Sequence, residues 1–582
     1  MDFNDNNIER WLEEDLLDDE NLPNDECSDV ESDVGPDHIL EESYGSDSEC
    51  ELLPEEENNE NSVSQHDLTS SDPEQPEFSS EDDEPLSLLS RRRKQNYFGK
   101  NRFRWSSIPP IQRSRTLQHN IVQEREGIKP AYRNQLNASS SPLDIWQYFF
   151  TDEMLEKIVT YTNVKITEIR PNYKNQSCVH DLDLMELKAF IGFLFYTAIF
   201  KENHEHYTSW FCTDGTGREI YRCIISKNRF EVLLNCLRFD DVATRTARRE
   251  TDASAPITEL FDSFINRCQA VYAIGTYACI DEMLLAFRGR CKDSDGLNLP
   301  AECQQLKKPT QAAMRLVVPI EGSNRNVTTD NWYTSIELLD SLKQKQLTGV
   351  GTLRKNQKEI PQEFLPARNR NVDSVLFGFT RDYTISSFVP KKNKAVITIS
   401  SMHHLPNVDE TTKKPEIILF YNKTKIGVDL LDQRCSNYST SRRTRRWPLA
   451  VFYRLLDISA SNCYIVNLSV KPQGHKVESR FKFVKKLAEQ LTRPHMERRV
   501  SNVKLQRDVR NAIRRILEGD EKATPSAVPC SSSTEERLPV RKKCSTCDYT
   551  KKRKTQYMCF ECKAPICLEC SNKLCVRCRE KL

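Results

Sequence analysis

"ACIDEMLLAFRGRCKDSDGLNLP", residues 278–300, decides how the middle of this chain is read. Ala278 to Phe287 reads as a buried strand with a carboxylate, Asp281, set into it. After Arg288-Gly289-Arg290-Cys291 the pattern stops and the chain turns polar, with Gly and Pro. An acid in an apolar strand needs a partner, because burying an unpaired charge is costly.

Working outward, "SPLDIWQYFFTDEMLEKIVTYTNV", "DLMELKAFIGFLFYTAIF", "SKNRFEVLLNCLRFDD" and "ITELFDSFINRCQAVY" carry apolar residues at helical spacing. They form an all-helical unit ending near residue 276. Toward the C-terminus, Thr352 to Asn422, including "PEIILFYN", reads as extended segments with turns. Residues 445–517 return to helix, and 518–540 read as a linker.

The 582 residues suffice for two to four domains. There is no apolar run of 18 residues and no apolar leader, so a cytosolic or nuclear protein is expected. Its 21 cysteines should then be reduced, metal-bound or buried. The net charge of −1 conceals an asymmetry. Residues 1–90 hold 32 acids and one base, leaving 53 acids against 83 bases in the rest. Such a tail cannot bury enough apolar surface to order itself, and the basic body suits a polyanion. Ser46, Ser71, Ser79 and Ser80 each precede an acid by three positions, a pattern suited to acid-directed kinases. "SRRRKQ", residues 90–95, fits a nuclear localisation signal or a phosphate-binding arm.

The C-terminal end has four C-x2-C knuckles: Cys544/Cys547, Cys559/Cys562, Cys567/Cys570 and Cys575/Cys578. Eight thiolates make two tetrahedral zinc sites. The short gap between the second and third knuckles favours an interleaved arrangement, knuckles one and three on one ion, two and four on the other. Too few apolar residues surround them to fold without metal. RING and PHD fingers share this plan, so a ubiquitin ligase or chromatin reader is a rival reading. The collar of Arg541, Lys542, Lys543, Lys551, Lys552, Arg553 and Lys554 suits DNA phosphates better.

Two further acidic stations follow Asp281. Asp330 ends the β-branched run in "NRNVTTDNWYTSIELLDSL", where a helix opens near Thr334. Asp429 and Asp432 share one face of "YNKTKIGVDLLDQ" if that stretch is helical. Acids converging at strand ends can hold two divalent ions for phosphoryl transfer.

"DEMLLAFRGRC", "GSNRNVTTDNWYTS", "YNKTKIGVDLLDQ" and "TSRRTRRWP", in that order, closely resemble the piggyBac transposase family. The cysteine-rich end resembles the family's, which often has His where this chain has Cys570. The resemblance covers about residues 130–582. It implies a multidomain α+β protein: a ribonuclease H-like catalytic domain (277–356 and 417–438) interrupted by an insertion (357–416), and a helical dimerisation and DNA-binding domain in two parts (130–276 and 439–517). A tail (1–95), a linker (518–540) and a cross-brace double-zinc module (541–582) complete it. It implies a DDD metal site of Asp281, Asp330 and Asp429 with Asp432 beside them, taking Mg2+ or Mn2+, and two structural zinc ions. It implies terminal-inverted-repeat binding and cut-and-paste transposition into TTAA targets through hairpin intermediates, by a nuclear homodimer. Arg442, Arg443, Arg445, Arg446 and Trp447 match a family stretch near the active site, where bases meet phosphate and Trp stacks on DNA.

One departure bears on activity. Between the strand at Asp281 and the strand ending at Asp330, the implied fold needs two more strands and a helix. Two strands with turns take roughly 15 to 20 residues. Here "KDSDGLNLPAECQQLKKPTQAA" intervenes, without an alternating apolar run. The core sheet is therefore expected to lack two strands, while the strands of Asp281 and Asp330 remain direct neighbours. The same scaffold then supports an active transposase or a DNA-binding protein that has lost strand transfer.

Overall fold

The computed structural model describes residues 96–110, 122–174, 176–283, 285, 305–472, 477–518, 538, 540–547, 553–559 and 562–570. The acidic tail with its serines, the basic run 90–95, most of the linker, Lys551, Lys552, Cys575 and Cys578 lie outside the described residues.

Eight strands form one mixed sheet: β1 Asn96–Phe98, β2 Arg104–Ser106, β3 Tyr277–Ile280, β4 Asn326–Thr329, β5 Thr348–Thr352, β6 Val375–Phe379, β7 Thr384–Lys391 and β8 Lys394–Ser400, in the order β1-β2-β6-β7-β8-β5-β4-β3. The helices that position the site are α1 Asp152–Ile169, α2 Leu184–Ile199, α3 Lys227–Cys236, α4 Thr258–Val271, α5 Lys308–Val317, α6 Ile336–Gln344, α7 Glu416–Thr424, α8 Gly427–Asn437, α9 Trp447–Val470, α10 Arg480–Val500 and α11 Arg507–Glu518. Thr151, Asp183, Ser226, Ser335 and Ser479 each accept a first-turn N–H, satisfying donors that a helix start leaves unpaired.

The helical core joins segments some three hundred residues apart: α1–α4 pack with α9–α11. α2 is its axis, with every residue from Ala189 to Ile199 buried. α10 lies against it so closely that a Cβ on Gly192 would come 2.6 Å from Thr492 and 2.9 Å from the Ala488 carbonyl. α9 is long and apolar enough to cross a membrane by composition, but 72% of its most apolar window is buried inside the protein. Its apolar character serves the core.

The sheet is sandwiched. Val327 packs in a core with α5 and α6, while Thr328, the next residue, faces α7 and meets the Thr424 hydroxyl at 2.8 Å. β3, β4 and β5 run parallel; β6, β7 and β8 extend the sheet antiparallel from β5.

Three expectations change. The strand at Ala278 ends at Ile280, so Asp281 follows the strand instead of lying within it. "PEIILFYN" is helical, as α7, because its apolar residues Ile417, Ile418 and Tyr421 all find burial at helical spacing against the sheet. The β1–β2 hairpin at 96–106 has no counterpart in the sequence reading. The segment in which two core strands were expected to be lacking, residues 286–304, lies outside the described residues, which resume before α5. β3 is the sheet's edge among the described residues.

Candidate functional site

The parallel register builds the acidic site. Ile280 pairs with Thr329, so Asp281 and Asp330 leave adjacent strands side by side, about one strand spacing apart. Asp330 Oδ1 accepts from the backbone N–H groups of Trp332 (2.8 Å) and Tyr333 (3.3 Å), and the Thr334 hydroxyl donates to the Asp330 carbonyl at 2.5 Å. This turn leads into α6 through its Ser335 cap. Gly351 on β5 makes room for it: a Cβ there would fall 2.1 Å from Thr334 Oγ1 and 2.6 Å from the Thr329 carbonyl.

Carboxylate oxygens of Asp281, Glu282 and Asp330 lie within 4.8 Å of one another. Glu282 was not singled out from the sequence. Its carboxyl is pushed upward by partial burial, by a hydrogen bond shared with Asp281, and by the Asp330 and Asp281 charges. Tyr333 is raised to about 12 by burial and by the Glu282 carboxylate it hydrogen-bonds. Three oxygen ligands at this spacing are hard donors of the kind Mg2+ and Mn2+ take.

Asp429 stands outside that group. It lies in the first turn of α8, which packs on β3: Cys279 Sγ donates to the Lys425 carbonyl at 2.9 Å, and a Cβ on Gly427 would touch Cys279 at 3.4 Å. The Asp429 charge still helps raise the Cys279 thiol, after burial, the largest cause. Asp432 pairs with Arg454 of α9 at 3.1 Å, which ties α8 to the helical unit.

The arginine stretch splits by position. Arg443 and Arg445 are exposed. Arg442 turns inward, donating to the Glu202 carbonyl (2.8 Å) with its guanidinium 3.8 Å from the Trp210 ring centre. Arg446 donates to the carbonyls of Leu234 (3.1 Å), Asn235 (3.2 Å) and Leu237. Burial lowers both guanidinium pKa values to about 10. Trp447 packs partly buried against the helical core.

Cys544, Cys547, Cys567 and Cys570 bring their sulfurs within 4.8 Å of one another. Cys547 Sγ is 3.4 Å from both Cys567 and Cys570, and the Cys567 N–H donates to Cys544 at 3.3 Å. Four thiols at the corners of a site sized for Zn–S bonds of about 2.3 Å can hold one tetrahedral zinc. Knuckles one and three thus share a site. Cys559 is buried and Cys562 exposed, and their proposed partners lie outside the described residues. Lys542, Lys543 and Lys554 are exposed on a two-stranded ribbon, and Arg553 pairs with Glu569.

A mixed sheet with acids at the ends of adjacent parallel strands, set against a helical unit made from both flanks, is the arrangement of a transposase. The sequence profile described as Transposase IS4 matches residues 141–300 and 293–464, more than half of the chain, in two stretches that overlap at residues 293–300. A piggyBac transposase synaptic complex with hairpin DNA, solved by cryo-EM, superposes with a TM-score of 0.65 at 33% identity, over 78% of this chain and 100% of that one. Human piggyBac transposable element-derived protein 3 is 22% identical over 377 residues, and the human chimeric ERCC6-PGBD3 protein matches to the same extent. The match takes in 54% of this chain, 60% of the first human protein and 33% of the second. This chain belongs to the piggyBac transposase family.

Proposed function

We propose that this protein is a nuclear, piggyBac-type DNA transposase or transposase-derived protein that binds terminal inverted repeats as a homodimer. The observation that carries the reading is the convergence of Asp281, Glu282 and Asp330 at the ends of two adjacent parallel strands. In this reading the β3–β4–β5 region is the ribonuclease H-like catalytic sheet. Asp281, Glu282 and Asp330 would hold Mg2+ or Mn2+, with Asp429 in the first turn of α8 outside their group. Such ions supply charge neutralisation and an activated hydroxyl for cut-and-paste transfer at TTAA. The chain's own part is to hold the carboxylates: the Asp330 turn fixes one, and Tyr333 restrains Glu282. The eight C-terminal cysteines would carry two structural zinc ions in interleaved pairs, presenting the basic ribbon to DNA. Nuclear entry rests on "SRRRKQ" and the basic body, and an acid-directed kinase on the tail serines would adjust its charge.

A second reading, sequence-specific DNA binding without strand transfer, is favoured by the place of Asp429 outside the acidic group and by β3 standing at the sheet edge among the described residues. An unpaired edge fixes the outer strand less firmly. The test is incubation of purified protein with labelled transposon-end duplex and Mg2+ or Mn2+. Nicks and hairpins lost in Asp281→Ala support the first reading. Tight end binding with no cleavage selects the second, and no DNA binding at all refutes both.

A further inference from the structure

We propose that Asp457 is a positioning residue for the acidic site: from α9 it pins the end of α8, and so sets where Asp429 stands relative to Asp281, Glu282 and Asp330. The inference rests on the metal-site reading above and names the residue that controls its further carboxylate.

α8 bridges the sheet and the helical unit. At its start, Gly427 and the Lys425 carbonyl lie against Cys279 of β3. That hold is light: no residue in the first turn of α8 is buried, and Asp429 itself is exposed. The buried residues of α8 are Arg434 and Cys435, near its other end. There the Arg434 carbonyl accepts from Arg480 Nη2 of α10 at 2.7 Å, and the Arg480 guanidinium lies 5.1 Å from the Tyr438 ring centre. The helix is therefore fixed from its C-terminal end.

Asp457 completes this anchor. It is 1% exposed. Its Oδ1 accepts from the Thr440 N–H (2.8 Å) and the Thr440 hydroxyl (2.7 Å), and its Oδ2 from the Ser439 hydroxyl (3.2 Å). Ser439 and Thr440 directly follow Tyr438, where α8 ends. Arg454, one turn earlier on α9, pairs with Asp432 of α8 at 3.1 Å. One face of α9 thus grips α8 at two levels. Burial pushes the Asp457 carboxyl up to about 7, against the opposing pull of its Thr440 bonds, the Arg454 charge and the Ser439 bond. A helix is stiff over the 11 residues of α8, so a shift at Ser439 is carried to Asp429, about 15 Å away along the axis. Sites of this kind tolerate only about 0.5 Å of misplacement. Asp457 lies beyond the reach of any ion there, yet decides whether Asp429 can join one.

The experiment is Mn2+ titration of full-length protein followed by electron paramagnetic resonance, with Asp281→Ala giving the background from carboxylates elsewhere. Asp457→Ala should weaken binding at the acidic site about tenfold, the scale on which groups that orient metal ligands act. Asp457→Asn, which keeps an oxygen for Thr440, should restore wild-type affinity. Thr440→Val removes one bond of the same contact and should weaken binding in the same direction, whether or not Asp457→Ala folds. In an Asp429→Asn background, Asp457→Ala should cost nothing further. Wild-type affinity in a folded Asp457→Ala or in Thr440→Val overturns the positioning role alone. So does an equal loss with and without Asp429, or a loss in Asp457→Asn as large as in Asp457→Ala. Wild-type protein that binds Mn2+ no better than Asp281→Ala overturns the metal-site reading and the positioning role together.

Discussion

Replacing Arg229 by Met should cost the helical unit about 3–5 kcal/mol, the range for breaking one partner of a buried ion pair. Arg229 on α3 and Glu186 on α2 are 4% and 3% exposed at the side chain. They meet through two bonds, 2.8 and 2.7 Å, and the guanidinium also donates to the carbonyls of Cys178 (3.1 Å) and His180 (2.8 Å). A second route gives a similar figure. Burial alone would raise the Glu186 carboxyl, but hydrogen bonds from Arg229 and His180 outweigh it and hold the group at about 2 against an ordinary 4.5. That difference converts to about 3 kcal/mol. Because the folded pKa is depressed, this stabilisation is present above pH 4.5 and is lost as pH falls toward 2. The assay is urea unfolding followed by helical circular dichroism at neutral pH, repeated in acid. Arg229→Met should lose its acid-side slope, because its buried carboxyl no longer ionises more readily when folded. The apolar pair Glu186→Leu with Arg229→Met should recover most of the loss, since no charge then remains buried. A loss below about 1 kcal/mol, or an equal loss whether or not Glu186 is present, would refute the reasoning.

Gly351→Ala should abolish metal binding at the acidic site while leaving most of the fold intact, because the new methyl displaces Thr334 and the Asp330 turn. Terbium luminescence sensitised by Trp332 measures this, and wild-type affinity in the variant would contradict it. Cys547→Ser and Cys567→Ser should each release one of two zinc ions, and the double variant still only one; loss of both in a colorimetric zinc assay would overturn the interleaved pairing. Burial lowers His495 from 6.5 to about 4. Between these values the unfolded chain takes up a proton that the folded chain refuses, so stability should fall by about 3 kcal/mol as pH drops through that window. A melting-temperature profile no flatter in His495→Gln than in wild type would count against this. Trp105→Ala should cost about 3–5 kcal/mol, the penalty for emptying a large buried site, and free the β1–β2 hairpin to proteolysis.

The sequence by itself determined what depends on local spacing. Helical periodicity placed α1–α4 and α9–α11, because their apolar residues recur at helical spacing in the sequence. The cysteine knuckles were legible for the same reason, since two thiols three positions apart already form half a metal site. Whether the polar chain after Cys291 forms strands is a different matter, because residues 286–304 lie outside the described residues. Tertiary structure decided the rest. The β1–β2 hairpin consists of three-residue strands with no period of their own, and Trp105 is anchored by a bond to the Glu359 carbonyl 254 positions away. Glu282 was invisible because a continuous strand would send it to the face opposite Asp281. The strand ends at Ile280, and the irregular backbone beyond it lets both neighbours join Asp330. Arg442 and Arg443 are adjacent in sequence, yet one stacks on Trp210 and the other faces solvent. A run of like residues records charge, whereas the direction each side chain takes is set by whichever carbonyls, rings and carboxylates the fold brings beside it.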